Sequence, residues 1–234
     1  MLSRSAWAGS QRYAAVIWSG DIASTFESLQ AQVRAGLNMA LSGIPWWTTD
    51  IGGFQNGDIG SASFRELIVR WFQYAVFCPV CRMHGYRLPA SEPLPKSGAD
   101  NEIWSFGPEV YGILRDLLFL RERLRPYLQE QMDLASRRGL PPMRPLFVDF
   151  PDDPTCETIE DQFMFGPEVL VAPVLYEGAR ERKVYLPAST EWINAHTGAT
   201  YFGGQWLEVP APLETIPIFL KAGSRLMDVF RAAA

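Results

Sequence analysis

Two carboxylates with aromatic neighbours carry most of the chemistry this chain could do. Asp21 closes Trp18-Ser19-Gly20-Asp21, just past the apolar run Ala14-Ala15-Val16-Ile17-Trp18. Asp50 lies in Thr48-Thr49-Asp50-Ile51-Gly52-Gly53-Phe54, just past Trp46-Trp47. A short apolar run bounded by turn residues reads as a strand, so each acid would stand at a strand tip. Carboxylates in that place can protonate or position oxygen atoms, and aromatic faces beside them can cover a sugar ring. The pattern is that of the floor of a sugar pocket. Gly52 and Gly53 would let the backbone turn tightly beside a ligand. Each acid also has a plainer reading. Asp21 is placed to cap the helix that follows it, and Asp50 to sit solvated in a glycine turn. Trp46 and Trp47 could be core, yet beside such a loop at least one is expected to face sugar.

Cys78 and Cys81 form a C-x-x-C with His84 three residues on. A zinc or redox site needs a second pair at matching spacing, and none follows. The expectation is thiols packed as small hydrophobes, with no metal and no cofactor.

The elements that must hold these residues change character along the chain. Ser24 with Glu27 three residues later forms a capping box, so a helix is expected from there. Phe26, Leu29, Val33 and Leu37 give it a buried face, and Gly36 weakens its end. Residues 64–75 read as a second amphipathic helix, with Leu67, Ile68 and Trp71 inward and Arg65, Glu66 and Arg70 outward. Residues 77–81 are a strand candidate ending at Arg82 and His84. Strand, functional loop, helix, strand is the rhythm of a (β/α) barrel, whose active residues lie at strand C-terminal ends. Residues 86–108 read as a long Pro/Gly/Ser-rich loop. Residues 108–137 form the strongest helical pattern, and Pro126 predicts a kink or break in it. Beyond about residue 145 the helical period gives way to short β-rich runs punctuated by Gly and Pro, the signature of an antiparallel β-sandwich. Phe-Gly-Pro-Glu occurs at 106 and again at 165 with different flanks, and is read as coincidence. Residues 231–234 read as a frayed end.

Composition sets outer bounds. The 234 residues suffice for one large domain or two small ones. A hydrophobic content of 47% argues against wholesale disorder. The formal net charge is −5, with both signs interspersed, so no basic stripe points to nucleic acid. No apolar run reaches the roughly 18 residues that cross a bilayer. No apolar h-region follows Met1, and nothing in the residues assigns a compartment.

The order and wording of these motifs resemble retaining α-glycosidases of glycoside hydrolase family 31, especially bacterial α-xylosidase-like members. The likeness runs nearly end to end, through Gly-Ile-Leu-Arg-Asp-Leu-Leu-Phe-Leu-Arg-Glu-Arg-Leu-Arg-Pro-Tyr-Leu (112–128), Phe150-Pro151-Asp152-Asp153-Pro154, residues 161–166 and residues 217–224. It implies the C-terminal part of a (β/α)8 TIM barrel over residues 1–150, then a proximal antiparallel β-sandwich over 151–234. The implied reaction is hydrolysis of terminal α-linked xylosyl or glucosyl residues of oligosaccharides by double displacement. Such enzymes place two carboxylates roughly 5 to 5.5 Å apart, one attacking the anomeric carbon and one acting as acid, then base. Asp21 resembles the general acid/base. The family's nucleophilic aspartate lies on an earlier strand, and the chain is expected to begin after it. Asp50 and Phe54 resemble the sugar-positioning acid and the entrance aromatic, with Trp18 and Trp47 as sugar-facing rings. Arg4 resembles the arginine on the strand before the acid/base. Arg82 and His84 resemble the strand-end pair that hydrogen-bonds sugar hydroxyls; His196 receives no role. The expected partner is an oligosaccharide, with neither nucleic acid nor membrane, and the resemblance leaves room for a homo-oligomer in a full-length parent. Residues beyond Ser224 depart from the family pattern. Two other readings are a transglycosylase using the same residues and a non-catalytic, truncated carbohydrate-binding remnant.

Overall fold

The computed structural model describes residues 1–90 and 98–231. Three short strands, β1 (Leu2–Ser3), β2 (Val16–Trp18) and β3 (Trp47–Thr48), pair in parallel in that order. Residues 80–82 run alongside β3: the Val80 amide donates to the Trp47 carbonyl at 3.1 Å, and the Ile51 amide to the Arg82 carbonyl at 3.5 Å. The expected strand over 77–81 is therefore not formed as such. Its first half is a turn leaving the preceding helix, and only the end reaches β3. A second parallel pair, β4 (Gly57–Asp58) and β5 (Arg87–Leu88), lies in the loops that follow. β5 thus interrupts the loop expected over 86–108, of which 91–97 lie outside the described residues.

Helix α1 (Phe26–Leu41) connects β2 to β3. Its cap is Thr25, whose side-chain oxygen accepts from the Ser28 amide at 3.1 Å, one residue later than the capping box places it. Nor does Gly36 end the helix. It sits in mid-helix because the Trp47 ring lies against it: a Cβ there would stand 2.7 Å from Trp47 Nε1. Helix α2 (Ala62–Ala75) buries Leu67, Ile68 and Trp71 as expected, capped by Ser61. Arg70 departs from expectation and is wholly buried.

Helical periodicity marks Arg70 as outward, yet that side of α2 faces the C-terminal sheet domain. The Arg70 guanidinium donates to the carbonyls of Thr215 (2.9 Å), Pro212 (3.2 Å), Ala179 (3.1 Å) and Ala211 (2.8 Å), and to Gln73 Oε1 (3.1 Å). Burial lowers its pKa to about 10, so it stays charged at neutral pH. Replacing Arg70 by methionine should strand these carbonyls and cost at least about 3 kcal/mol. For a chain of this size that is a fall of roughly 6–12 °C in Tm, readable by calorimetry. A change within the error of the scan would show that water takes over the acceptors.

Helices α3 (Pro108–Arg123) and α4 (Arg125–Arg138) meet at Leu124, the break that Pro126 predicts. Arg121 of α3 donates to the carbonyls of Cys78 (2.8 Å) and Pro79 (3.0 Å), fixing the turn that leads to Arg82. Next come β6 (Met143–Arg144), α5 (Leu146–Asp149), β7 (Phe163–Phe165), β8 (Val169–Val171), β9 (Glu181–Leu186), β10 (Glu191–Asn194), β11 (Thr200–Phe202), β12 (Gln205–Pro210) and β13 (Ile218–Lys221). They form a six-stranded sheet, β11-β10-β13-β8-β7-β6, and a two-stranded sheet, β12-β9, with every pairing antiparallel. Leu170, Phe219, Val184, Leu186 and Trp192 fill the space between the sheets. The chain is thus part of a (β/α)8 barrel followed by an antiparallel β-sandwich. Within the departing C-terminal segment, α6 (Met227–Arg231) packs Met227, Val229 and Phe230 onto the main core. Residues 232–234, read as part of a frayed end, lie outside the described residues.

Candidate active site

Arg4, Asp21 and Asp50 follow the C-terminal ends of β1, β2 and β3, and Arg82 ends the stretch beside β3. Parallel strands put these ends on one side, so the fold gathers residues that are far apart in the chain. Arg4 Nη2 lies 2.6 Å from Asp21 Oδ2, with the two side chains 61% and 42% exposed. The Arg4 guanidinium stands 6.0 Å from the centroid of the Trp18 ring. Asp21 does not cap α1, since Thr25 does. Its side chain stands at an open face, while Ile17 points into the core.

Asp50 is the opposite case. It is fully buried and ion-paired through Oδ1 with Arg82, and its amide donates to Ser19 Oγ at 3.3 Å. Burial pushes its carboxyl above the usual carboxylate range, against the lowering pull of Arg82 and His84. Asp21 adds a further upward push, so all three groups act on Asp50. Oδ2 of Asp50 and Nε of Arg82 are buried without a hydrogen-bond partner among the described residues. A solvated Asp50 is thereby ruled out. His84 is exposed and sits against the Phe54 ring, centroids 5.4 Å apart.

The loop between them is shaped by its glycines. Gly52 and Gly53 have φ of +84° and +73°. A Cβ on Gly53 would also stand 2.6 Å from the Ala23 carbonyl oxygen, so this backbone lies flush on the loop carrying Asp21. Amides of Phe54 and Gln55 donate to the Ile22 carbonyl at 2.8 and 3.0 Å.

Trp47 does not join the group. Only 4% exposed, it donates from Nε1 to the Tyr74 hydroxyl at 3.1 Å and belongs to the core behind β3. Its proposed sugar contact is replaced by a packing role, because a strand residue three before Asp50 points to the helix side. Trp46 lines a cavity with Gln11, Gly43 and Pro45, among residues that precede β2 and β3, and so lies away from the strand ends where the acids stand.

Sequence reading missed Arg87. It is wholly buried and donates to the carbonyls of Ile51 (2.7 Å) and Gly53 (2.8 Å). Its only signal in the sequence is a basic residue two places after Gly85 and three after His84. Cys78 and Cys81 are largely enclosed, and burial raises both thiols, Cys78 to about 12, so neither is a thiolate at neutral pH. Among the described residues no three His, Cys, Asp or Glu side chains are grouped to hold a metal ion, and no helix is long and apolar enough to cross a membrane.

Comparison with known proteins meets this geometry from outside. The family model described as the glycosyl hydrolases family 31 TIM-barrel domain matches residues 1–131, and that of the family 31 C-terminal domain matches 139–226. The α-xylosidase of Saccharolobus solfataricus is 39% identical over 97% of the chain, which spans 29% of that relative. α-Glucosidase 2 of Bacillus thermoamyloliquefaciens is 36% identical over 97% of the chain, which spans 27% of it. The crystal structure of a family 31 α-xylosidase from a soil metagenome, complexed with xylose, superposes with a TM-score of 0.95 at 54% identity, covering 98% of this chain and 35% of that one. The chain therefore spans about a third of the length of these relatives. Strand-end acids on a partial barrel, a sandwich behind it and two family models in register together place this chain in glycoside hydrolase family 31.

Proposed function

We propose that this chain carries the general acid/base and one wall of the sugar pocket of a retaining α-glycosidase acting on terminal α-linked xylosyl or glucosyl residues. The observation that carries the reading is the pairing of two unlike carboxylates on neighbouring strand ends. Asp21 is open and held by Arg4; Asp50 is buried and held by Arg82. An open carboxyl can reach a glycosidic oxygen and later a water. A buried one with a free oxygen is built to accept from a fixed sugar hydroxyl, and the unpaired Nε of Arg82 to donate to another. His84 and Phe54 form the rim.

Asp50 is not the attacking group in this reading, because its ion pair and burial fix it as a binding residue. The nucleophile comes from residues outside this chain. The division near residue 150, barrel part before and sandwich after, belongs to the same proposal, and Arg70 makes the sandwich a rigid backing for α2.

The test is stereochemical. Proton NMR of the first sugar released by the full-length protein from an aryl α-xyloside should show the α-anomer, since two displacements restore the configuration. Release of the β-anomer first would reject the double displacement. Comparing kcat/KM on aryl α-xylosides and α-glucosides in the same assay assigns the sugar.

A further inference from the structure

We propose that Arg87 is a positioning residue that locks the Asp50 loop to the His84 segment, so that both walls of the sugar pocket hang on one guanidinium. Its Nη1 donates to the Gly53 carbonyl at 2.8 Å and its Nη2 to the Ile51 carbonyl at 2.7 Å. The same Nη2 reaches the His84 carbonyl at 3.4 Å. Nε is fixed by Asn101 Oδ1 at 2.7 Å, and the guanidinium lies 5.0 Å from the centre of the Phe64 ring at the start of α2. Three flanking carbonyls, one amide and one aromatic face thus take up the fork from the loop after β3, from the stretch after His84 and from the helix behind.

The surroundings are carved to admit it. A Cβ on Gly85 would stand 2.6 Å from the guanidinium carbon, and one on Gly57 would stand 2.8 Å from Nη1. A Cβ on Gly52 would stand 3.2 Å from Nη2. Three glycines from three segments leave the volume that one planar fork fills. Arg87 sits on β5, whose pairing with β4 fixes its backbone independently of the pocket. Among the described residues no carboxylate is ion-paired with it, and its Nη donors go to backbone carbonyls. A lysine has the charge and three donors on one nitrogen, but not the rigid planar fork that spreads Nη1, Nη2 and Nε over separate acceptors. The consequence is that the spacing of Asp50 and His84 is set from behind, by a residue that itself touches no sugar.

This inference rests on the functional reading above for its substrate readout. Arg87→Met and Arg87→Lys are made in the full-length protein that carries this segment and assayed on an aryl α-xyloside. Its good leaving group takes protonation by Asp21 out of the measurement. Loss of the fork should raise KM and lower kcat/KM by about 10²-fold, the penalty of a pocket group displaced by about 1 Å. Lysine should recover part of this, and on an unactivated α-xylosyl oligosaccharide, where protonation by Asp21 counts, the pH limb set by the acid/base should not move. A purely structural role gives the other result: KM unchanged and kcat reduced only in proportion to folded protein, which overturns the proposal. Asn101→Ala removes the Nε anchor alone. It should raise KM in the same direction by a smaller factor, and decides the matter if Arg87→Met does not fold. The His84 imidazole resonance, assigned through its absence in His84→Gln, should shift in Arg87→Lys; an unmoved resonance with unchanged KM also overturns the clamp. If the wild-type protein turns over no α-glycoside, the functional reading falls while the resonance still decides the clamp.

Discussion

Replacing Asp21 by alanine in the full-length protein should lower kcat on natural α-linked xylosyl or glucosyl oligosaccharides by about 10³-fold, within the range general acid–base catalysis contributes. The departing sugar oxygen is strongly basic and leaves only as its proton arrives. Substrates with good leaving groups, such as aryl glycosides bearing nitro groups or glycosyl fluorides, need little protonation, so their first step should survive nearly intact. Their second step should slow, because the water that attacks the intermediate then lacks its base. An added anion that needs no deprotonation, such as azide, should restore turnover and appear in the product. Stability should scarcely change, since Arg4 and Asp21 form an exposed pair. Asp21→Asn separates charge from shape: it keeps a hydrogen-bonding partner for Arg4 and should be as deficient as alanine on poor leaving groups. Equal losses on good and poor leaving groups would mark Asp21 as structural and remove it from the mechanism.

The 234-residue chain by itself should show no turnover of aryl α-xylosides or α-glucosides above the buffer background. Two physical reasons agree. A retaining site needs an attacking carboxylate across the bond from Asp21. Asp50, the other strand-end acid, is committed to Arg82 in the interior. In addition, β1 pairs only with β2 among the described residues, and Met1 and Leu2 at this edge are 84% and 45% exposed. An open edge leaves backbone donors and acceptors in water and one side of the pocket unbuilt. Supplying the preceding barrel strands, in one polypeptide or by co-expression, should restore activity that Asp21→Ala then removes. The decisive contrary result is robust turnover by the purified chain alone, abolished by Asp21→Ala. It would place a complete pair of carboxylates within these residues.

Much of the placement of Asp21 and Asp50 is legible in the local sequence. Apolar runs ending in Asp21 and Asp50 fix which residues stand at strand ends, and parallel pairing does the rest. Pro126 announced the break between α3 and α4, and the switch from a period near 3.6 to short Gly- and Pro-bounded runs announced the sandwich. These are local properties: a few neighbouring side chains and backbone constraints decide them.

What tertiary structure alone decided concerns residues whose partners are remote or whose facing depends on what packs where. Arg70 reads as solvated because periodicity sees one helix, while its acceptors are carbonyls more than a hundred residues away. Trp47 and Trp18 are both strand residues next to an acid-bearing loop, but one packs under Gly36 and the other lies beside Arg4. Arg87 carries no motif, since backbone carbonyls have no signature in the side-chain sequence. The repeated Phe-Gly-Pro-Glu makes the point within one chain. At 106–109 the glycine precedes α3 with Pro108 in its first turn; at 165–168 the same four residues turn β7 into β8. Gly107 has nothing within 4 Å of a would-be Cβ, whereas at Gly166 such an atom would stand 2.1 Å from the Tyr127 hydroxyl. The sequence by itself determined where the chain can turn, which runs are apolar and which acids end strands. Packing decided which way each turn continues and which charges go inside, because burial and hydrogen-bond partners are supplied by segments that a local pattern never meets.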